Sequence, residues 1–300
     1  MKGRWLGGLN AVLLALAFGL LLVSCNRAIV SSEKISVVVS IFPQAEFVEN
    51  VGGEKVDVTV MVPPGASPHT YEPTPSQMVT LSKAKMYVKV GSPVEFELVW
   101  MDKLIAANKE MLVIDGSKGV QLVEMAAEHI HEGEEHEQGS MDPHIWLSPL
   151  NVKIMVQNIA DGLAQLDLAN SAYYEQNRDA YLQELTKLDQ DIRDGLSGVE
   201  NRRFMVYHPA LGYFAKEYNL TMLPIEEEGK EPTASGIAHL IEYAKEHNMK
   251  VIFASPQFNP QSAKVVADAI GGRVVFIDPL ARDYVVNLRR VLGELVQTME

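Results

Sequence analysis

Three histidines stand in three separate proline-containing turns: His69 in SPHTYEPTPSQ, His144 in DPHIWLSP and His208 in YHPALGYF. A carboxylate, Asp278, follows the apolar run VVFI and precedes Pro279. Imidazole and carboxylate are the donors of small sites for divalent transition ions. The four residues are far apart in sequence, and each lies where a strand or loop stops, which is how a fold carries donors from different elements to one point. Three neutral imidazoles and one carboxylate suit tetrahedral zinc; the same set can hold manganese, although a harder ion prefers more oxygen. Four protein donors would leave no open position for a reacting water, which argues against catalysis. Taken singly, a histidine beside proline reads equally as a turn residue, and Asp278 as a turn initiator. Their joint placement favours the site.

The other histidines are less informative. Residues 128–140, EHIHEGEEHEQGS, carry His129, His131 and His136 in a charged stretch with neither helical nor strand period. An exposed loop is expected, its histidines either solvated or an auxiliary low-affinity metal trap. His239 and His247 fall on a predicted helix and read as structural or surface residues.

The start of the chain points to a compartment. Lys2 and Arg4 precede an apolar stretch from about Ala11 to Val23, shorter than the roughly 20 residues of a membrane span. A charged start, a short apolar core and a small residue at the cut describe a secretory signal. Leu22-Val23-Ser24-Cys25 resembles a bacterial lipobox, which implies cleavage before Cys25 and lipid attachment to it. Residues 1–24 are thus expected to be a lipoprotein signal peptide and 25–34 a polar tether. Cys25 is the single cysteine, so an intramolecular disulfide and a cysteine-based zinc site are excluded. Removing residues 1–24 takes the formal charge from −13 to −15, because Lys2 and Arg4 leave with them. So acidic a chain is a poor nucleic-acid binder and does not repel a cationic ligand.

The elements that must position the four donors follow a strand–helix alternation. Strands are expected over 35–41, 56–62, 86–90 and 111–114, and again over 204–207, 221–224, 251–254 and 274–277. Helices are expected over 42–51, 76–84 (with Ser76 as cap), 95–108 and 148–166, then over 210–218, 235–247, 262–270 and from 285 onward. Such alternation predicts an α/β fold with mainly parallel sheets flanked by helices. Between the two halves, residues 171–196 lack proline. Tyr174, Tyr181, Leu185, Leu188, Ile192 and Leu196 mark one helical stripe. At 1.5 Å per residue this helix is roughly 40 Å long, and it reads as a rigid connector between two lobes. The expected division is a first metal-binding lobe over 35–169, the connector over 170–198 and a second metal-binding lobe over 199–300.

The runs His69-Thr-Tyr-Glu-Pro-Thr-Pro-Ser, Asp142-Pro-His-Ile-Trp-Leu-Ser-Pro149, Tyr207-His-Pro-Ala-Leu-Gly-Tyr-Phe214 and Asp278-Pro-Leu280 resemble the zinc/manganese solute-binding proteins of bacterial ABC transporters. The resemblance extends over nearly all of the chain after the signal. It implies two lobes joined by one long helix, with metal at their interface. It carries His69, His144, His208 and Asp278 onto the family's ligand positions. Histidine in the third position looks like zinc-type members, where manganese-type members use Glu. Residues 128–140 sit where zinc-type members carry a His-rich insertion, here short. The implied partners are a membrane permease with its cytoplasmic ATPase. The expected location is a lipid anchor at Cys25 on the extracytoplasmic side of the cell membrane, in the periplasm or at the cell surface, as a monomer. Two other classes remain open. A zinc-dependent hydrolase lacks support, since neither HExxH nor G-x-S-x-G occurs. A surface adhesin would use metal only to hold its structure.

Overall fold

The β-branched run after Lys34 forms β1 (Ile35–Val39), whose last three residues are fully buried. In the computed structural model, which describes residues 34–125, 140–226 and 230–299, β1 is central to a parallel sheet. It pairs with β2 (Val56–Val60) on one side and β3 (Met86–Lys89) on the other, and β4 (Leu112–Asp115) adds to β3. The second half repeats the arrangement with β5 (Arg203–Val206), β6 (Thr221–Pro224), β7 (Val251–Ala254) and β8 (Arg273–Phe276). The strand orders are β2-β1-β3-β4 and β6-β5-β7-β8. In each, the chain reverses direction across the sheet between the two central strands. That switch opens a crevice beyond their carboxyl ends.

The described residues also form nine α-helices: α1 (Pro43–Gly52), α2 (Pro75–Leu81), α3 (Glu95–Ala107), α4 (Pro149–Leu166), α5 (Ser171–Leu196), α6 (Gly212–Glu217), α7 (Ala234–Glu246), α8 (Gln261–Ile270) and α9 (Tyr284–Met299). Most bounds fall within two residues of the expected ones. One cap differs: α2 is capped by Thr74, not Ser76. Thr74 Oγ1 accepts from Gln77 N, and Gln77 Oε1 accepts from Thr74 N, a reciprocal capping box. Pro75 explains the shift, because its fixed φ begins the first turn and leaves the preceding residue to cap it. The cap at Ser148 is as expected, with Pro149 opening α4. At the far end of α8, Gly271 turns left-handed at φ 64°, where only glycine is unstrained. No described helix is long and apolar enough to cross a membrane.

The 26-residue helix α5 buries the six predicted stripe residues and no others. It packs along α1 and α4 of the first half and α9 of the second, so it is braced by both. Glu46 on α1 fastens this joint. Its carboxylate accepts from Tyr181 Oη of α5 at 2.7 Å and from Tyr284 N, at the start of α9, at 2.5 Å. Nearby, Arg282 pairs with Glu49. Trp146, almost fully buried, donates its Nε1 to Pro279 O at 2.8 Å and ties the turn holding His144 to the loop holding Asp278. Glu46→Ala leaves a buried tyrosine hydroxyl and the first amide of α9 without their acceptor. It should lower the unfolding free energy by about 2 kcal/mol, read from urea denaturation, with Glu46→Gln recovering part of the loss.

Candidate metal centre

All of the site's side chains lie beyond the carboxyl ends of strands. His69 follows β2 through the proline-rich turn, Glu95 opens the helix after β3, and His144 precedes α4. In the second half His208 comes two residues after β5, Glu226 two residues after β6 and Phe258 four residues after β7. The two crevices therefore contribute to one place.

There His69, His144 and His208 converge. One ligand atom from each lies within 4.8 Å of the others, the one group of this kind among the described residues. Each ring is held from behind by a carboxylate at Nδ1: His69 by Glu95 at 2.7 Å, His144 by Asp142 at 2.7 Å and His208 by Glu226 at 2.6 Å. A carboxylate can only accept, so in the neutral rings Nδ1 carries the proton and the Nε2 lone pairs are left free. Those of His144 and His208 face each other at 3.2 Å. Two lone pairs at that distance repel unless something positive lies between them. In a tetrahedral zinc site with Zn–N near 2.0–2.1 Å, neighbouring nitrogens stand roughly 3.3 Å apart. The rings are thus set for a cation that accepts nitrogen donors at short range. The same carboxylates raise the basicity of the imidazoles and fix their orientation.

The surroundings explain how the sequence holds this geometry. Glu97, buried on α3, accepts from Val90 N at 2.5 Å, Gly91 N at 2.9 Å and the Ser40 hydroxyl. It pins the first turn of α3 to the ends of β1 and β3 and so places Glu95 under His69. Ser92 Oγ donates to Pro143 O at 2.5 Å, beside His144. Asp142 is fully buried, and its Oδ1 also accepts from His144 N at 2.9 Å. A Cβ on Gly212 would stand 2.2 Å from Asp142 Oδ2, so α6 must begin with glycine for this carboxylate to fit. Tyr213 Oη donates to Asp142 O at 3.2 Å. The YHPALGYF segment thereby supplies one histidine and two supports for another.

Burial, against the opposing hydrogen bond from Glu226 and with the neighbouring His144 and His69 adding to it, lowers the His208 pKa to about 4. Glu95 is held below the usual carboxylate range: burial raises it, but its bond to His69 and the charge there outweigh burial. His208 therefore stays neutral and able to bind metal well into the acid range. The same shift has a stability consequence. Between pH 6.5 and 4 the unfolded chain takes up a proton at this histidine and the folded protein does not. Stability falls as pH drops through that window and levels off below it, by an amount on the order of 3 kcal/mol. Urea midpoints measured across this range without added metal should fall more steeply for the wild type than for His208→Gln.

Three of the four expected ligands are thus brought together, and Asp278 is not among them. Its Oδ1 accepts from Gln257 Nε2 at 2.7 Å and from Leu280 N at 3.0 Å. His129, His131, His136 and Cys25 lie outside the described residues. Sequence reasoning missed Glu95, Asp142 and Glu226. Asp142 offered a signal, a carboxylate two residues before a histidine across a proline. Glu226 follows β6, the sheet neighbour of the strand that leads to His208, and becomes visible only once strand order is known.

The chain is similar to known proteins in both sequence and fold. The profile of the family described as ZnuA, zinc-uptake complex component A, periplasmic, matches residues 37–298. The high-affinity zinc uptake system protein ZnuA of Bacillus subtilis is 33% identical over 254 residues, 83% of this chain and 79% of its own length. The zinc-binding lipoprotein AdcA of Streptococcus pneumoniae is 28% identical over 283 residues, 90% of this chain; the match spans only 55% of AdcA. A crystal structure of ZnuA superimposes with a TM-score of 0.84 at 41% identity, covering 89% of this chain and 100% of the other.

Proposed function

The chain belongs to the ZnuA family of periplasmic zinc-uptake components, and we propose that it captures zinc outside the cytoplasmic membrane and delivers it to an ABC permease driven by a cytoplasmic ATPase. One observation carries this reading: three imidazoles present converging Nε2 atoms, each ring backed by its own carboxylate. Such a site binds an ion through its cargo-facing nitrogens and can release it without covalent chemistry. Glu95, Asp142 and Glu226 are engaged in orienting the rings, so none stands free beside the donors as a general base. This supports a binding protein over a hydrolase.

We assign His69, His144 and His208 as ligands. An all-nitrogen set favours zinc over manganese. Two lobes, 35–169 and 199–300, joined by 170–198, are the division we adopt. The bracing of α5 by helices of both halves supports a small tilt or loop rearrangement on release, in place of wide hinge closure. Cys25 is our candidate for the lipid attachment that keeps the protein at the membrane, and His129, His131 and His136 for auxiliary capture.

Metal analysis of protein purified without chelator, followed by zinc–manganese competition, tests the reading. Zinc at one equivalent, retained against manganese, is the expected result. Purified protein that takes up neither ion overturns it.

A further inference from the structure

The loop after β7 connects to two parts of the site at once. Gln257 donates its amide to Asp278 Oδ1 at 2.7 Å, and the next residue, Phe258, lies against His208 with ring centroids 4.5 Å apart at 27°. Leu280 N holds the same carboxylate oxygen, and Asn287 Nδ2 donates to Asp278 O at 2.7 Å, fixing the backbone. Gln257 Oε1 is buried and has no hydrogen-bond partner, so the amide is oriented by its contact with Asp278. The carboxylate held in this way stands outside the group formed by the three histidines.

We propose that Gln257 sets the metal preference of the site by restraining Asp278 outside the coordination sphere, so that the donors offered to an ion are imidazoles alone. The inference rests on the capture reading above. Its chemistry is that of donor hardness. Manganese(II) binds nitrogen donors most weakly of the first-row divalent ions and gains most from an added carboxylate oxygen. Zinc is satisfied by three imidazoles and one further ligand. The glutamine amide restrains Asp278 by donating to its carboxylate.

The test is zinc–manganese competition on the full chain with Gln257→Ala and, to keep the volume filled, Gln257→Leu. Both variants should shift the zinc-to-manganese affinity ratio toward manganese by roughly tenfold or more, the range typical of residues that hold a ligand in place. Adding Asp278→Asn to either should cancel the shift. Cobalt(II) loaded as a probe should change its visible absorption between wild type and Gln257→Ala, and not in the Asp278→Asn background. An unchanged ratio overturns the proposal. So does equal weakening of both metals, the outcome if Gln257 only steadies a carboxylate that already binds. A wild type that binds zinc alongside an indifferent Gln257→Ala removes the role of Gln257 alone; a wild type that binds neither ion removes the capture reading first.

Discussion

Replacing His69, His144 or His208 by alanine, one at a time, should weaken zinc binding by roughly a hundredfold or more in each case. The binding free energy of a four-ligand zinc site is about 10–16 kcal/mol, so one ligand carries about 3 kcal/mol, which corresponds to that factor. The three substitutions are not equivalent in what they leave behind. His208→Ala abandons Glu226, a buried carboxylate whose imidazole partner is gone. His144→Ala does the same to Asp142. His69 is more exposed and its partner Glu95 is half-exposed, so His69→Ala should cost least in stability while still abolishing tight binding. Removing a carboxylate alone, as in Glu226→Gln, keeps the nitrogen donor but loosens its aim and basicity, with an expected loss of 10–100-fold. Isothermal titration with a competing chelator measures all four. Equal affinity in the wild type and all three histidine variants would mean that metal binds elsewhere.

That the three histidines could be picked from the sequence follows from where they sit. Each sits in a proline-containing turn, His208 two residues after a strand, His69 beyond a proline-rich loop and His144 just ahead of a helix, and open parallel sheets bind ligands in the loops beyond their strand ends. The connector was legible residue by residue because a long helix with one buried stripe writes its period directly into the sequence, from Tyr174 to Leu196. What escaped is tertiary. Glu95 is 26 residues from His69 and Glu226 18 residues from His208. Their partnership depends on which strands are neighbours, and strand order has no local signature. The hold of Gln257 on Asp278 is of the same kind. Ser76 as the cap of α2 was a local misreading: hydroxyls at 74 and 76 look alike until Pro75 is recognised as the first helical residue.

Zinc should raise the unfolding temperature of the protein by roughly 10 °C, and chelation should return it to the lower value without unfolding it. Ligand held at about a thousand times its dissociation constant stabilises a folded state by about 4 kcal/mol, and a domain of this size shifts by some 2–4 °C per kcal/mol. The chain should fold without the ion. Its sheets are closed by apolar packing around residues such as Val37, Val39, Tyr87, Met205 and Ile252, none of which belongs to the site. His144 and His208 are each hydrogen-bonded to a carboxylate, so the protein itself orients their donor atoms. A carrier needs this combination, since a protein that unfolded each time it gave up its cargo could not bind again quickly. A protein using metal only for structure would lose cooperative unfolding on chelation. Differential scanning calorimetry with zinc, with chelator and with zinc restored separates the two. In His208→Ala, with binding about a hundredfold weaker, the same zinc concentration should leave only about a third of the shift, roughly 3–4 °C, which ties the stabilisation to this site and not to the acidic surface.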